Sequence, residues 1–376
     1  MKKFIIFVAA IAMVGAFVAT AMADVSLYGS ARFRTYYTDA DPGEGADSDS
    51  DLEWRMGTLT RFGANFKSDK VTGKFEMDAR AGGKGSSADP TNSSGASELG
   101  NMRLRQLWGQ YDFGSWKFMI GQNYPLYDAP VSGFNYYAGG LQKFGGMGYT
   151  VARTSQVRLT MGNLRIALLQ ADTSIVGLEG FTTTDHDVIL PKIELRYDIK
   201  GNWGLLNFIG GYQTYKAVNA VDADQTINSW VAGIRGKFNF GPAYLGAGLT
   251  YRQNGANYGA WTEVDEEPVY DGNDVQDATA YGGVAALGWK INDSNTLEGS
   301  IGYIKSELDL PGEWEDSRMV YGLMWKYTVA PGFYIIPEFI FQDNKETEST
   351  DPAGVTTSTD NGDTTIFGVF WRIDFN

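Results

Sequence analysis

What most constrains this chain is the spacing of its connections. Residues 24–375 carry sixteen strand-like segments rich in aromatic and β-branched side chains. They fall at about 24–38, 52–68, 70–82, 99–113, 115–122, 149–161, 163–172, 187–199, 203–216, 226–240, 242–254, 278–291, 295–307, 317–329, 332–343 and 364–375. The connections alternate strictly between long and short. Long ones occupy 39–51, 83–98, 123–148, 173–186, 217–225, 255–277, 308–316 and 344–363, and tight turns such as Ser68-Asp69, Phe113-Gly114, Gly201-Asn202 and Gly241-Pro242 fall between them. Such a series predicts an antiparallel up-and-down meander with both ends on the short-turn side. An even strand number lets the first strand pair with the last, which leaves no open sheet edge.

The segments sort their charge by face. In "GKFEMDAR" (73–80), Lys74, Glu76, Asp78 and Arg80 alternate with Phe75, Met77 and Ala79, and strand side chains have a period of two. In 188–199, Lys192, Glu194, Arg196 and Asp198 oppose Ile189, Ile193, Leu195 and Tyr197. The pattern in 203–216 does not fix a parity. A soluble sandwich would turn the charged face to bulk solvent, and a membrane barrel would turn it to an internal channel. The long/short alternation favours the barrel, as do Trp54, Trp116, Trp203, Trp230, Trp289 and Tyr327 near segment ends, where interfacial girdles lie. In a bilayer, an Arg on the lipid face costs about 2–4 kcal/mol at mid-depth, which accounts for so strict a sorting.

The N-terminus points to export. Lys2 and Lys3 precede an apolar run from Phe4 to Val18 and an Ala21-Met22-Ala23 cleavage motif, the pattern of a secretory signal removed before Asp24. The expected organisation is therefore a signal over 1–23 and one transmembrane barrel domain over 24–376. No later stretch has the roughly 18 apolar residues of a membrane helix. The chain has no cysteine, and its net charge of −14 argues against nucleic acid as a partner.

Residues 99–148, "LGNMRLRQLWGQYDFGSWKFMIGQNYPLYDAPVSGFNYYAGGLQKFGGMG", resemble the general-diffusion porins of Gram-negative outer membranes. "LYGSARF" (27–33) and "LTRFGANFK" (59–67) resemble them too. The resemblance implies a 16-stranded trimeric barrel whose third external loop folds inward to narrow a water-filled pore for small hydrophilic solutes and ions. It implies outer-membrane lipid, lipopolysaccharide and the barrel-assembly machinery as partners, and no cofactor. By position, Arg61 and Arg103 match the family's basic wall, and Arg32, Arg34, Arg80 and Arg105 share their inward parity. Tyr124, Asp128, Phe134, Tyr136 and Lys143 belong to the constricting loop. Two features depart from the family: Lys143 stands before Phe-Gly-Gly where an acid is common, and Asn376 follows the aromatic Phe375.

Parity puts more bases than acids on the inner wall, the acids being Glu76, Asp78, Glu194, Asp198, Glu298, Glu338 and Asp374. The remaining acids concentrate in loops such as "WTEVDEEPVYDGND". A weak anion preference is expected. The alternative is a channel for a specific sugar or phosphate, with the loop's aromatic residues either stacking on solute or packing on the wall. The acidic loops read either as solvated surface or as bridges to lipopolysaccharide through divalent cations; no segment has full EF-hand spacing, and no residue is assigned as a metal ligand. The only histidine, His186, lies between two aspartates at a strand mouth, and catalysis is not expected of it. Gln106 and Gln110 read as outward residues at a subunit interface.

Overall fold

A computed structural model describes residues 24–376, except 44–46, 58, 81–100, 138–139, 147–152, 172–180, 184, 220–223, 261–262, 309–313 and 351–354 and the side chains of 79, 80, 101, 102 and 350. The expected signal segment lies outside the described residues. Sixteen strands form one closed antiparallel barrel. They are β1 (Asp24–Asp41), β2 (in two parts, Asp49–Met56 and Arg61–Lys67), β3 (Val71–Arg80), β4 (Asn101–Asp112), β5 (Lys117–Asn123), β6 (Thr154–Met161), β7 (Leu164–Leu169) and β8 (also in two parts, Asp185–Asp187 and Lys192–Gly201). The second half comprises β9 (Gly204–Val218), β10 (Gln225–Phe240), β11 (Ala243–Gln253), β12 (Ala278–Asn292), β13 (Asn295–Leu308), β14 (Trp314–Ala330), β15 (Phe333–Asp343) and β16 (Asp363–Phe375).

Each strand pairs with its neighbours in sequence, and β16 closes on β1 from Gly29 opposite Phe375 to Asp41 opposite Asp363. Closure gives every strand two partners, so the wall has no edge. One side-chain parity meets lipid: Leu107, Ile120, Leu195, Phe208, Leu249, Leu287, Leu323 and Phe367 are all exposed large apolar residues, with Trp54, Trp203, Trp289 and Trp325 among them. The other parity holds the charge. In β9 it is the odd residues that point inward, since Asn207 and Gln213 are buried while Phe208 and Tyr212 are exposed.

β4 breaks the simple period within the barrel wall. β3 and β4 pair Glu76 with Gln106 but Met77 with Leu104, which leaves Arg105 as an extra residue. This β-bulge places two successive side chains on the inner face. Arg105 and Gln106 are both buried and both donate to Glu76 Oε1, at 2.7 and 3.1 Å. The bulge also reverses parity beyond it, so Gln110 sits opposite Thr72 on the inner face. Gln106 and Gln110 are thus not the outward interface residues expected from uninterrupted alternation.

Candidate functional site: a narrowed lumen

Two connections fill much of the barrel. The third long connection leaves β5 at Asn123, and Leu126, Tyr127, Val131, Phe134, Leu141 and Phe144 along it are buried. Its backbone is held by carboxylates on three distant strands. Glu194 of β8 accepts from the N–H groups of Leu126 (2.5 Å) and Tyr127 (3.2 Å). Glu298 of β13 accepts from Gly133 N–H at 2.6 Å. Glu338 of β15 accepts from Asn135 N–H (2.7 Å), Asn135 Nδ2 (2.9 Å), Tyr136 N–H (2.9 Å) and the Tyr36 hydroxyl (2.8 Å). An ionised acceptor makes each such bond stronger than a neutral one.

Glycines on the inner face give the loop its seat. A Cβ at Gly246 would lie 2.8 Å from Val131 O, one at Gly282 2.7 Å from Gly145 Cα, one at Gly302 2.9 Å from Phe144 Cβ, and one at Gly322 2.5 Å from the Phe134 ring. These positions lie on four adjacent strands, β11 to β14. At the loop exit Gly145 has φ 94°, and a Cβ there would meet Tyr303 O at 2.2 Å, so no other residue fits.

The sixth long connection backs the third. After β11, Asn254 (φ 50°) turns the chain into one helical turn, Gly255–Tyr258, and Tyr258, Val264 and Glu266 are buried. The Tyr258 hydroxyl donates to Glu194 Oε1 at 2.9 Å, Lys192 Nζ donates to Tyr258 O at 2.6 Å, and Arg252 Nη2 pairs with Glu266 at 2.6 Å. Glu263 forms an ion pair with Lys143, whose ammonium also lies 4.2 Å from the Tyr137 ring centroid. The acid-rich segment 263–267 is thus partly internal. Nothing in its composition separates Glu263 and Glu266 from solvated loop acids.

The predicted wall residues fall into distinct places. Arg61, Lys74 and Arg105 surround Glu76, with Arg61 Nε at 3.7 Å and Lys74 Nζ at 3.6 Å, and Tyr28 OH donates to it at 2.8 Å. Arg103 Nε contacts Asp78 at 3.1 Å, yet half of its side chain remains exposed, while Asp78 is fully buried. Arg105 Nη2 also donates to the Tyr124 hydroxyl at 2.6 Å, tying the loop's start to β4. Arg34 pairs with Glu53 at 3.1 Å and donates to Tyr136 O at 2.9 Å, so it anchors the loop. Arg32 is buried, with its Nε 3.0 Å from Ser30 Oγ and its guanidinium over Phe370. The Arg80 side chain lies outside the described residues.

On the loop, Phe134 packs into the core with Val320 and Met324, and Tyr136 packs edge-on against Tyr36 at 5.0 Å. Asp128 is partly buried and faces Arg153, Arg235 and Arg196, with Glu194 also close. Burial outweighs the pull of the arginines and pushes its carboxyl up to about 6. Arg153, whose guanidinium lies 5.4 Å from the Tyr124 ring centroid, falls within the expected segment 149–161 on the parity opposite to Arg158, but the pairing of β6 begins only at Thr154, so strand parity does not apply to it. His186 packs edge-on against Tyr215 at 5.5 Å.

A closed barrel of this strand number, apolar outside and lined with paired and free charge inside, defines a transmembrane channel narrowed by its own loops. A sequence profile described as "Gram-negative porin" matches residues 8–347, and the chain belongs to this family. It forms an outer-membrane channel for diffusion of small hydrophilic solutes. Family and fold indicate a channel rather than an enzyme.

Among solved structures, the chain is similar to the outer membrane channel DcaP of Acinetobacter baumannii, with a TM-score of 0.67, 19% identity and coverage of 94% of this chain and 97% of that one. It is also similar to the anion-selective porin from Comamonas acidovorans, with a TM-score of 0.60, 13% identity and coverage of 94% and 100%. OmpT of Vibrio cholerae in a trimer form gives a TM-score of 0.59 at 14% identity, covering 94% and 99%. At these identities the likeness is one of fold. No curated protein sequence matches the chain.

Proposed function

We propose that this porin passes small anions in preference to cations. The observation that carries this reading is what has become of the wall carboxylates. Six of the seven expected wall carboxylates, Glu76, Asp78, Glu194, Asp198, Glu298 and Glu338, are buried, in arginine clusters or under loop amides, and the seventh, Asp374, keeps 27% of its surface beside Arg372. Of the bases that oppose them, Arg105 is buried, but Arg103 keeps 50% of its surface and Arg61 and Lys74 keep 25%. A solute in the lumen therefore meets guanidinium and ammonium groups more than carboxylates, and fixed charge at a constriction sets ion preference. Arg32, Arg34, Arg61, Arg80, Arg103 and Arg105 are assigned to the basic wall, and Tyr124, Asp128, Phe134, Tyr136 and Lys143 to the constricting loop. The acidic external loops act at a distance, and screening over about 8 Å at physiological salt weakens them. The similar Comamonas porin is titled anion-selective, which accords with this reading.

Reversal potentials of the purified protein in planar bilayers under a KCl gradient test it. Anion-preferring values are expected, and a clear cation preference would overturn it. Of the loop's aromatic residues Tyr127, Phe134 and Phe144 are buried, while Tyr124, Tyr136 and Tyr137 keep part of their surface, so the sugar-stacking alternative has three rings to draw on rather than six.

Three further assignments belong to the same reading. The channel is a homotrimer, as the similar Vibrio protein is titled; cross-linking in mild detergent should give a three-chain band. Mature protein begins at Asp24, which N-terminal sequencing of outer-membrane material checks. Lipopolysaccharide contacts the external loops and the barrel-assembly machinery inserts the chain, despite Asn376 after Phe375.

A further inference from the structure

Away from the β1–β4 wall, a second group of guanidiniums collects near the short-turn ends of β6, β7, β8 and β10. Arg158 lies three residues before Met161, and Arg165 follows the first residue of β7, so the group sits on the short-turn side of the third loop. One carboxylate organises it. Asp198 accepts from Arg165 Nη2 at 2.5 Å, Arg196 Nε at 2.7 Å and Asn207 Nδ2 at 2.5 Å. Asn207 Oδ1 in turn accepts from Arg235 Nη1 at 3.0 Å. Arg158 Nη2 donates to the loop carbonyl of Tyr124 at 2.5 Å.

The charges here do not balance. Five guanidiniums, those of Arg153, Arg158, Arg165, Arg196 and Arg235, stand against three principal acid neighbours, Asp128, Glu194 and Asp198. Glu194 is also committed to the loop amides. That leaves two positive charges in excess. Arg235 Nε is buried with no hydrogen-bond partner among the described residues, an arrangement that costs free energy unless something accepts from it. The Arg165 side chain is 28% exposed, so the group is open to the lumen.

We propose that Arg165, Arg196 and Arg235 form a binding subsite for a doubly charged oxyanion of the phosphate class, in the lumen on the short-turn, periplasmic side of the third loop. Planar guanidinium forks match the oxygen spacing of such an anion, which a chloride cannot exploit. Its two charges would neutralise the local excess, and its oxygens would accept from the donors that Asp198 and Asn207 leave over. The subsite rests on the channel reading and deepens it: anions selected at the β1–β4 wall meet a second positive station in series.

The test is chloride current through the purified channel in planar bilayers at pH 8, with inorganic phosphate added to the short-turn side. A saturating reduction of current is expected. Arg165→Gln combined with Arg235→Gln should raise the half-blocking concentration about tenfold, the scale of one lost charge-assisted bond. Arg61→Gln with Arg103→Gln should shift the reversal potential and retain the phosphate block. Arg165→Lys keeps the charge without the fork and should weaken the block by a smaller factor, which serves where the double variant yields no channels. A conducting wild-type channel without phosphate block would overturn the subsite and leave the channel reading intact. A half-blocking concentration unmoved by Arg165→Lys or the double variant would overturn it equally. Absence of any conductance would instead overturn the channel reading.

Discussion

Glu338 shows how far a single side chain can act in this molecule. Its two oxygens take hydrogen bonds from four donors, three of them on the third loop. Glu338→Gln replaces one acceptor oxygen by a donor and removes the charge, weakening bonds worth about 1.5–3 kcal/mol each when the acceptor is ionised. The loop should then fluctuate, and single-channel recordings should show higher open-channel noise and a larger mean conductance; unchanged noise would mean the loop is held without Glu338. Asp128 gives a pH dependence. With its carboxyl pushed up to about 6 by burial, it is neutral below that pH and negative above it. Facing Arg153, Arg196 and Arg235, with Glu194 beside it, it offsets one positive charge only at the higher pH. Anion preference should therefore grow between pH 7 and pH 5, and Asp128→Asn should hold the low-pH value throughout. Reversal potentials at the two pH values decide the matter. That Asp128 belongs to the loop was legible in the sequence. Its arginine neighbours come from the residue just before β6, from β8 and from β10, and no local pattern announces them.

At the scale of elements, the strands were far more legible than the loops. Each of the sixteen expected segments overlaps a barrel strand, because a period of two and tight turns are local properties. The bulge at Arg105 was not legible, since one extra residue leaves no mark in composition while reversing the face of Gln106 and Gln110. The fold of the third loop depends on inner-face glycines spread over four strands, which a strand-by-strand reading passes over as weak strand formers. Gly322→Leu should push the Phe134 ring from its seat, displace the loop into the lumen and lower conductance; overpacking of this kind typically costs about 1–3 kcal/mol. At Gly299 a Cβ would meet nothing nearer than 3.9 Å, so Gly299→Ala should leave conductance unchanged. Equal effects from both substitutions would count against the glycine seat.

For the whole molecule, closure governs everything else. The β1–β16 seam places Thr35 opposite Val369, and the chain has no native cysteine. Thr35→Cys with Val369→Cys should therefore form a disulfide under mild oxidation in the folded barrel, visible as a mobility shift on a denaturing gel. Failure to oxidise would contradict the seam. Because every strand depends on both neighbours, the bonded and unbonded barrels should differ little in conductance.

The alternation of apolar and charged residues, and of long and short connections, by itself determined a closed meander with lipid outside and water within. Those are nearest-neighbour properties of a chain that must satisfy every backbone group in a bilayer. Tertiary structure decided which charges the water meets. Glu76 and Glu338 share the parity of Arg103. Yet the two acids are buried by an arginine cluster and a loop backbone that come from distant sequence, while Arg103 keeps half its surface. Exposure inside a channel depends on what crosses the lumen, and only the closed barrel brings those partners together.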